Sequence, residues 1–288
     1  MQKITLILVI IFLAISGKVM AEKAEYSVVF CYNADENHLV RSFLFEGCRP
    51  GYKQTSRKKW LKLAFKNGRI TQAQFEFFEK TKPESLDANL TTHSNGSSFA
   101  INSEGLMVTS YHVLEPCKEV LIVSEVDLFK VEEIAISKEN DLAVIKSNYK
   151  PNGIATIREP PMVLGEKLYA FGFPLLATLR TFNMTPGIVS GSQGMGTRAF
   201  VQLAMSLQPG NSGGPIVDES GLVSGVVAAR LRQGPGVAFG LQNKVLRKFL
   251  NKNKISFSTD VQTNPMDTKK MAVMANNFTR PLVCLVEK

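Results

Sequence analysis

From about residue 97 onward the chain breaks into short apolar runs separated by glycine, asparagine and proline: SFAI, LMVTSYHV, EVLIVS, LAVIK, KLYAFGF, GIVSGS, FVQLAM, GPIV, LVSGVVAA and GVAFGL. Runs this short, with turn formers between them, leave no room for the crossover helices that a parallel sheet requires. The pattern predicts a mainly β fold, an antiparallel sandwich or barrel, rather than alternating strand and helix units. One helix is expected within it, from Asn243 to Leu250.

The residues before this region read differently. Lys3 precedes an uncharged apolar run over residues 4–15, and Val19 and Ala21 put small residues where a signal peptidase acts. Residues 1–21 are expected to be an export leader cleaved after Ala21. The rival reading is an uncleaved membrane anchor, which needs about 20 apolar residues; this run stops at Ser16. Outside the cytoplasm four cysteines favour disulfides. Four cysteines allow three connectivities, and the residues by themselves leave all of them open, along with free thiols. No paired C-x-x-C occurs and the three histidines are scattered, so no metal site is expected.

Residues 22–90 are expected to be an N-terminal extension. A short strand fits YSVVFC, residues 26–31, and Gly47, Pro50 and Gly51 then interrupt any regular pattern. A helical hairpin follows: Ser56 caps a helix running to about Asn67, Gly68 ends it, Thr71 with Gln74 forms a capping box for a second helix, and Pro83 closes that helix. Trp60, Leu61, Leu63, Ala64, Phe65, Ile70, Phe75, Phe77 and Phe78 supply apolar faces for a core. The formal charge is +9, and Arg49 to Lys82 holds ten Lys/Arg against Glu76 and Glu79. A basic segment of this kind could meet an acidic protein, anionic lipid or a negatively charged cell surface, but a solvated face kept soluble by its charge is the favoured reading. No nucleic-acid-binding pattern accompanies the charge, and no nucleic acid partner is expected.

Three local patterns carry chemistry. In Q-P-G-N-S-G-G-P, residues 208–215, glycines surround Ser212. A serine hydroxyl attacks only when a base takes its proton and donors stabilise the resulting oxyanion. The glycines let the N–H groups of Gly210 and Ser212 point at one spot, although N-S-G-G also suits a plain hairpin turn. In L-M-V-T-S-Y-H-V-L an apolar strand ends at His112, and in N-D-L-A-V-I-K Asp141 enters an apolar run. A buried aspartate needs a partner. An imidazole N–H would satisfy it and fix the tautomer that accepts the serine proton.

With histidine, aspartate and serine in this order, the motifs resemble those of the trypsin-like serine peptidases of the HtrA/Deg-like group. The stretch N-G-S-S-F-A-I-N-S-E-G-L-M-V-T-S-Y-H-V is similar to that group's G-S-G-F-x-I-x-x-x-G-x-I-V-T-N-x-H-V. D-L-A-V-I-K, G-E-K-L-Y-A-F-G-F-P and P-G-N-S-G-G-P-I-V also match its motifs. The resemblance covers roughly residues 93–250. It implies two antiparallel six-stranded β-barrels over 91–258, with His112 and Asp141 from the first and Ser212 from the second. It also implies a serine endopeptidase acting on protein or peptide substrates without a cofactor, in a periplasm or outside the cell. The alternative is a latent or non-catalytic module that binds peptides in the same cleft.

The same resemblance places Ser206 at the floor of the primary pocket and gives Ala228, Ala229 and Arg230 the backbone groups that pair with extended substrate. No acidic residue stands at the pocket floor, so small or medium apolar side chains are the expected preference. Ser98 departs from the group's glycine. Asn211 replaces the aspartate that digestive trypsins pair with a freed amino terminus, so activation of that kind is not expected. Only about 38 residues follow the expected helix, too few for the PDZ domain many HtrA proteins carry. The tail, 259–288, ends in F-T-R-P-L-V-C-L-V-E-K, similar to a cysteine-bearing tail in some bacterial relatives. That implies a Cys117–Cys284 bridge to the first barrel and leaves Cys31 with Cys48.

Overall fold

The structure is a computed structural model that describes residues 28–33, 38–43, 52–68, 70–80, 89–124, 127–179, 181–230, 236–261 and 264–288. The expected leader, Cys48 and Pro83 lie outside the described residues.

In chain order the elements begin with β1 (Val28–Asn33), β2 (His38–Phe43), β3 (Lys53–Thr55), α1 (Arg57–Lys66) and α2 (Gln72–Lys80). Six strands follow: β4 (Leu90–Ala100), β5 (Leu106–Thr109), β6 (Glu119–Val123), β7 (Leu128–Lys130), β8 (Glu132–Ser137) and β9 (Leu142–Lys146). The next group is β10 (Thr156–Arg158), β11 (Lys167–Gly172), α3 (Leu176–Leu179), β12 (Asn183–Gly194), β13 (Phe200–Ala204), β14 (Pro215–Asp218), β15 (Val223–Arg230) and β16 (Val237–Gln242). The chain ends with α4 (Asn243–Lys252), β17 (Ser258–Asp260), α5 (Thr268–Phe278) and β18 (Thr279–Glu287).

The helical hairpin forms as its caps dictate. The Ser56 side chain accepts from Lys59 N–H, and Gly68 takes the positive φ that releases the chain from α1. Thr71 N–H donates to Gln74 Oε1 while Gln74 N–H donates to Thr71 Oγ1, a complete capping box. Trp60, Leu61 and Ala64 of α1 and Phe78 of α2 are buried. Phe65, expected in that core, is 39% exposed instead, because it lies away from the buried face of Trp60, Leu61 and Ala64 and meets the Phe75 ring. Phe77 and Phe78 lie against Phe129 of β7. Arg57 donates to the Asp127 carboxylate and to Phe78 O, so one guanidinium ties the hairpin to the loop before β7.

The first large sheet has the order β7-β6-β18-β4-β5-β9-β8. Its two edge strands, β7 and β8, are separated only by Val131, whose N–H donates to Val120 O. The sheet therefore curls until its edges are joined by one bend in the chain. The segment expected as a tail is built into this sheet. β18 runs antiparallel between β4 and β6, pairing Thr279 with Phe99 through Glu287 with Leu90 on one side and Leu282–Leu285 with Glu119–Ile122 on the other. Leu282, Cys284 and Leu285 are buried there. The Cys117–Cys284 bridge is present. Cys31 is also disulfide-bonded. Helix α5, for which the sequence pattern prompted no expectation, leads into β18; Asp267 caps it by accepting from Lys269 and Lys270 N–H.

The second sheet has the order β14-β11-β12-β13-β16-β15-β10-β17, and a β14–β15 pairing closes its first six strands into a barrel. The two added strands pair parallel to their neighbours, β10 with β15 and with β17, where purely antiparallel pairing was expected. The closed barrel is filled by Leu168, Ala170, Val189, Val201, Leu203, Ile216 and Ala238. Arg158 sits at its end, hydrogen-bonded to Glu166, to Asp218 at 3.2 Å and to the carbonyls of Pro160 and Pro161. Burial alone would lower the guanidinium pKa, but the hydrogen bond and charge of Glu166, with Asp218 behind them, leave it raised. α4 extends from Asn243 to Lys252 and buries Leu246, Phe249 and Leu250.

Candidate active site

His112 stands where β5 leaves the first sheet. β5 is wholly buried, Ser110 follows it in extended conformation, and residues Tyr111–Val113 make one 3₁₀ turn. The Ser110 hydroxyl donates to Val227 O at 3.0 Å, which ties the turn to β15 of the second barrel. Asp141 closes the turn before β9 with φ +50°, a left-handed conformation that aspartate tolerates better than most residues.

Three hydrogen bonds converge on Asp141. His112 N–H donates to Oδ1 at 2.9 Å, His112 Nδ1 lies 2.7 Å from Oδ2, and Tyr111 N–H donates to the Asp141 carbonyl at 3.2 Å. An ionised carboxylate only accepts, so the proton of a neutral imidazole sits on Nδ1 and Nε2 carries a free lone pair. The Asp141 side chain is 22% exposed and that of His112 46%, so the ring projects from the pair into the open.

The turn over residues 208–215 packs Gly213, next to Ser212, against the strand end that leads to His112. Gly213 takes φ +82°, and a Cβ there would lie 2.7 Å from Ser110 N, so only glycine lets the turn that carries Ser212 approach the segment that carries His112. Gly213 N–H donates to Val227 O and Val227 N–H to Gly214 O, while Ser97 N–H donates to Ser212 O at 2.8 Å. Gly210 takes φ +100°. Its N–H and that of Ser212 find no acceptor among the described residues, whereas Asn211 N–H is bound to Gln208 O and Gly214 N–H to Asn211 O. Two free N–H groups therefore flank Asn211 on a tightly bonded turn. Asn211 itself is buried, with its Nδ2 unpartnered among the described residues. No hydrogen bond joins His112 Nε2 to Ser212 Oγ among them either.

Ser206 is exposed between the buried Met205 and Leu207. Ala228 is buried and occupies a bulge in the β15–β16 pairing, between Val227↔Gly240 and Ala229↔Phe239. Arg230 pairs with Ala238, while β14 pairs with β15 no further than Val226. The other edge of residues 228–230 is thus unpaired by β14 beyond that point. Sequence reading missed Ser97, whose buried hydroxyl and backbone meet the turn that carries Ser212; the serine of N-G-S-S-F was the available signal. Among the described residues no group of three or more His, Cys, Asp or Glu could hold a metal ion.

Comparison with known proteins gives this geometry its relatives. Residues 96–226 match the family model described as a trypsin-like peptidase domain. An uncharacterized protein, y4bJ, of Sinorhizobium fredii is 31% identical over 204 residues, covering 66% of this chain and 32% of its own. A probable periplasmic serine endoprotease DegP-like of Pseudomonas savastanoi pv. phaseolicola is 28% identical, covering 63% of this chain and 41% of its own. The crystal structure of a serine endoprotease from Yersinia pestis superposes with a TM-score of 0.49 and 21% identity, over 57% of this chain and 61% of that one. The chain spans well under half the length of these two curated relatives. Over residues 96–226 the chain is therefore similar to trypsin-like peptidase domains, and the relatives it resembles include a protein named as a DegP-like serine endoprotease.

Proposed function

We propose that the chain is a serine endopeptidase that cleaves protein or peptide substrates through an acyl-enzyme. Ser212 Oγ attacks the scissile carbonyl carbon and its proton passes to His112 Nε2. Asp141 holds the ring by Nδ1 and stabilises the imidazolium. The observation that carries the reading is the two-point bond between His112 and Asp141 beside a serine turn with two free N–H groups. The Gly210 and Ser212 N–H groups receive the negative charge of the tetrahedral intermediate. The imidazolium returns the proton to the leaving amine, water attacks the acyl carbon with His112 again as base, and Ser212 is regenerated.

Substrate backbone adds as a strand along Ala228, Ala229 and Arg230, where β15 offers an edge that β14 does not pair. With Ser206 at the pocket and no acid there, small or medium apolar side chains are preferred over Lys or Arg. The closing of the His112–Ser212 contact accompanies substrate binding, as apo catalytic hydrogen bonds are often loose. The leader over residues 1–21 exports the enzyme to a periplasm or beyond, consistent with a relative named as periplasmic. The test is cleavage of an unfolded protein and of a fluorogenic peptide library by residues 22–288, beside Ser212→Ala. Turnover lost in the mutant is the expected result; binding without turnover by both proteins would replace the enzyme with a peptide-binding module.

A further inference from the structure

We propose that Ser97 is a positioning residue for the oxyanion site, an inference that rests on the peptidase reading above. Ser97 lies near the end of β4, is fully buried, and belongs to the first sheet, while the nucleophile turn belongs to the second barrel. Its hydroxyl donates to the Gly210 carbonyl at 2.7 Å and accepts from Phe173 N–H at 2.9 Å. Its backbone N–H donates to Ser212 O at 2.8 Å, and its carbonyl accepts from Thr109 Oγ1 at 2.8 Å. One residue thus touches the chain on both sides of Asn211 and also the segment leading to His112.

The hydroxyl fixes both peptide units that meet at Gly210, one directly through the Gly210 carbonyl and the other through the 173–175 segment, which it holds by Phe173 N–H and which in turn binds the Pro209 carbonyl. A trans peptide unit carries its N–H opposite its C=O. On the amino side of Gly210, the Pro209 carbonyl accepts from Leu175 N–H at 2.8 Å, which turns the Gly210 N–H away from the 173–175 segment. On the carboxyl side, the Gly210 carbonyl is held inward by Ser97. A glycine at φ +100° has low barriers about both neighbouring bonds, so its own preferences do not keep this conformation. The bonds of the Pro209 carbonyl to Leu175 and of Asn211 N–H to Gln208 O hold its flanks, Ser97 holds the carbonyl between them, and the Phe173 bond fixes the hydroxyl's own orientation by occupying a lone pair. With the hydroxyl removed, the Gly210 carbonyl and Phe173 N–H lose their partner together, and the 173–175 segment, whose Leu175 N–H orients the Pro209–Gly210 peptide, is no longer tied to the turn. The Gly210 N–H then loses its fixed direction while His112 and Asp141 keep their own bonds.

The experiment is the second-order rate of phosphonylation of residues 22–288 by a fluorophosphonate probe, against pH, for wild type, Ser97→Ala and Ser97→Gly. Attack on phosphorus develops the same oxyanion, so both variants are expected to react about 10- to 100-fold more slowly, below or at the loss seen when one donor is removed. The pH at which the rate half-vanishes on acidification should stay where it is in wild type, because His112 and Asp141 are untouched. Rates within twofold of wild type in a folded variant would overturn the proposal. So would a slower rate accompanied by a displaced pH midpoint, which would mean that the whole site had shifted. Ser97→Gly serves if Ser97→Ala does not fold. An unreactive wild type would instead overturn the peptidase reading.

Discussion

Removing the Cys117–Cys284 bridge tests whether the C-terminal strand is a structural member of the first sheet. The bridge spans 167 residues, enclosing the whole second sheet and β6 to β9 of the first, with β4 and β5 outside the loop. Closing a loop of that length in the unfolded chain corresponds to about 5 kcal/mol in the chain-entropy account, and measured disulfides more often contribute about 2–4 kcal/mol. The native state itself should persist in Cys117→Ala/Cys284→Ala, because β18 keeps its backbone pairing with both β4 and β6. The two effects together predict a destabilisation of about 2–4 kcal/mol, or roughly 5–15 °C in Tm for a chain of this size. Urea unfolding of the double variant beside wild type, each followed by circular dichroism, measures it. A loss below about 1 kcal/mol would mean that the unfolded chain gains no freedom when the bridge is cut, and the reasoning would fail.

Three further outcomes follow from the same contacts. Asp141→Asn keeps the shape of the turn but reverses the hydrogen-bonding sense at His112 Nδ1, and the turnover rate should drop about 10⁴-fold with the fold unchanged by circular dichroism. Glu166→Gln removes the charge nearest Arg158 while Asp218 remains, so urea unfolding should show a loss of about 2 kcal/mol, with phosphonylation per folded molecule unaffected. Arg57→Ala releases the hairpin from Asp127, and limited proteolysis should then cut within residues 52–80 faster than in wild type; equal rates would show that the Phe77, Phe78 and Phe129 packing holds the hairpin alone.

The parts legible in the sequence were those set by local chemistry. Ser56, Gly68, Thr71 and Gln74 each satisfy backbone groups within four residues, and the structure uses them as the sequence pattern implies. Short apolar runs between glycines likewise became strands. What the pattern could not convey was long-range pairing. Nothing in F-T-R-P-L-V-C-L-V-E-K specifies that it enters between β4 and β6, because strand insertion depends on register with distant partners. Phe65 shows the limit of helical periodicity: its spacing permits burial, but the side of α1 that packs, with Trp60 against Phe30 of β1, leaves it outside. At the site, the pairing of His112 with Asp141 was legible because the unpaired carboxylate needed a partner. The role of Ser97 was not, since its meaning lies in Gly210 and Phe173, both far along the chain.

The most direct test of the peptidase reading is to treat residues 22–288 with a fluorophosphonate and map the adduct by peptide mass spectrometry. The account predicts one adduct, on Ser212, absent from Ser212→Ala and from His112→Ala. A folded wild-type protein that takes up no probe, or takes it up on another serine, would contradict it.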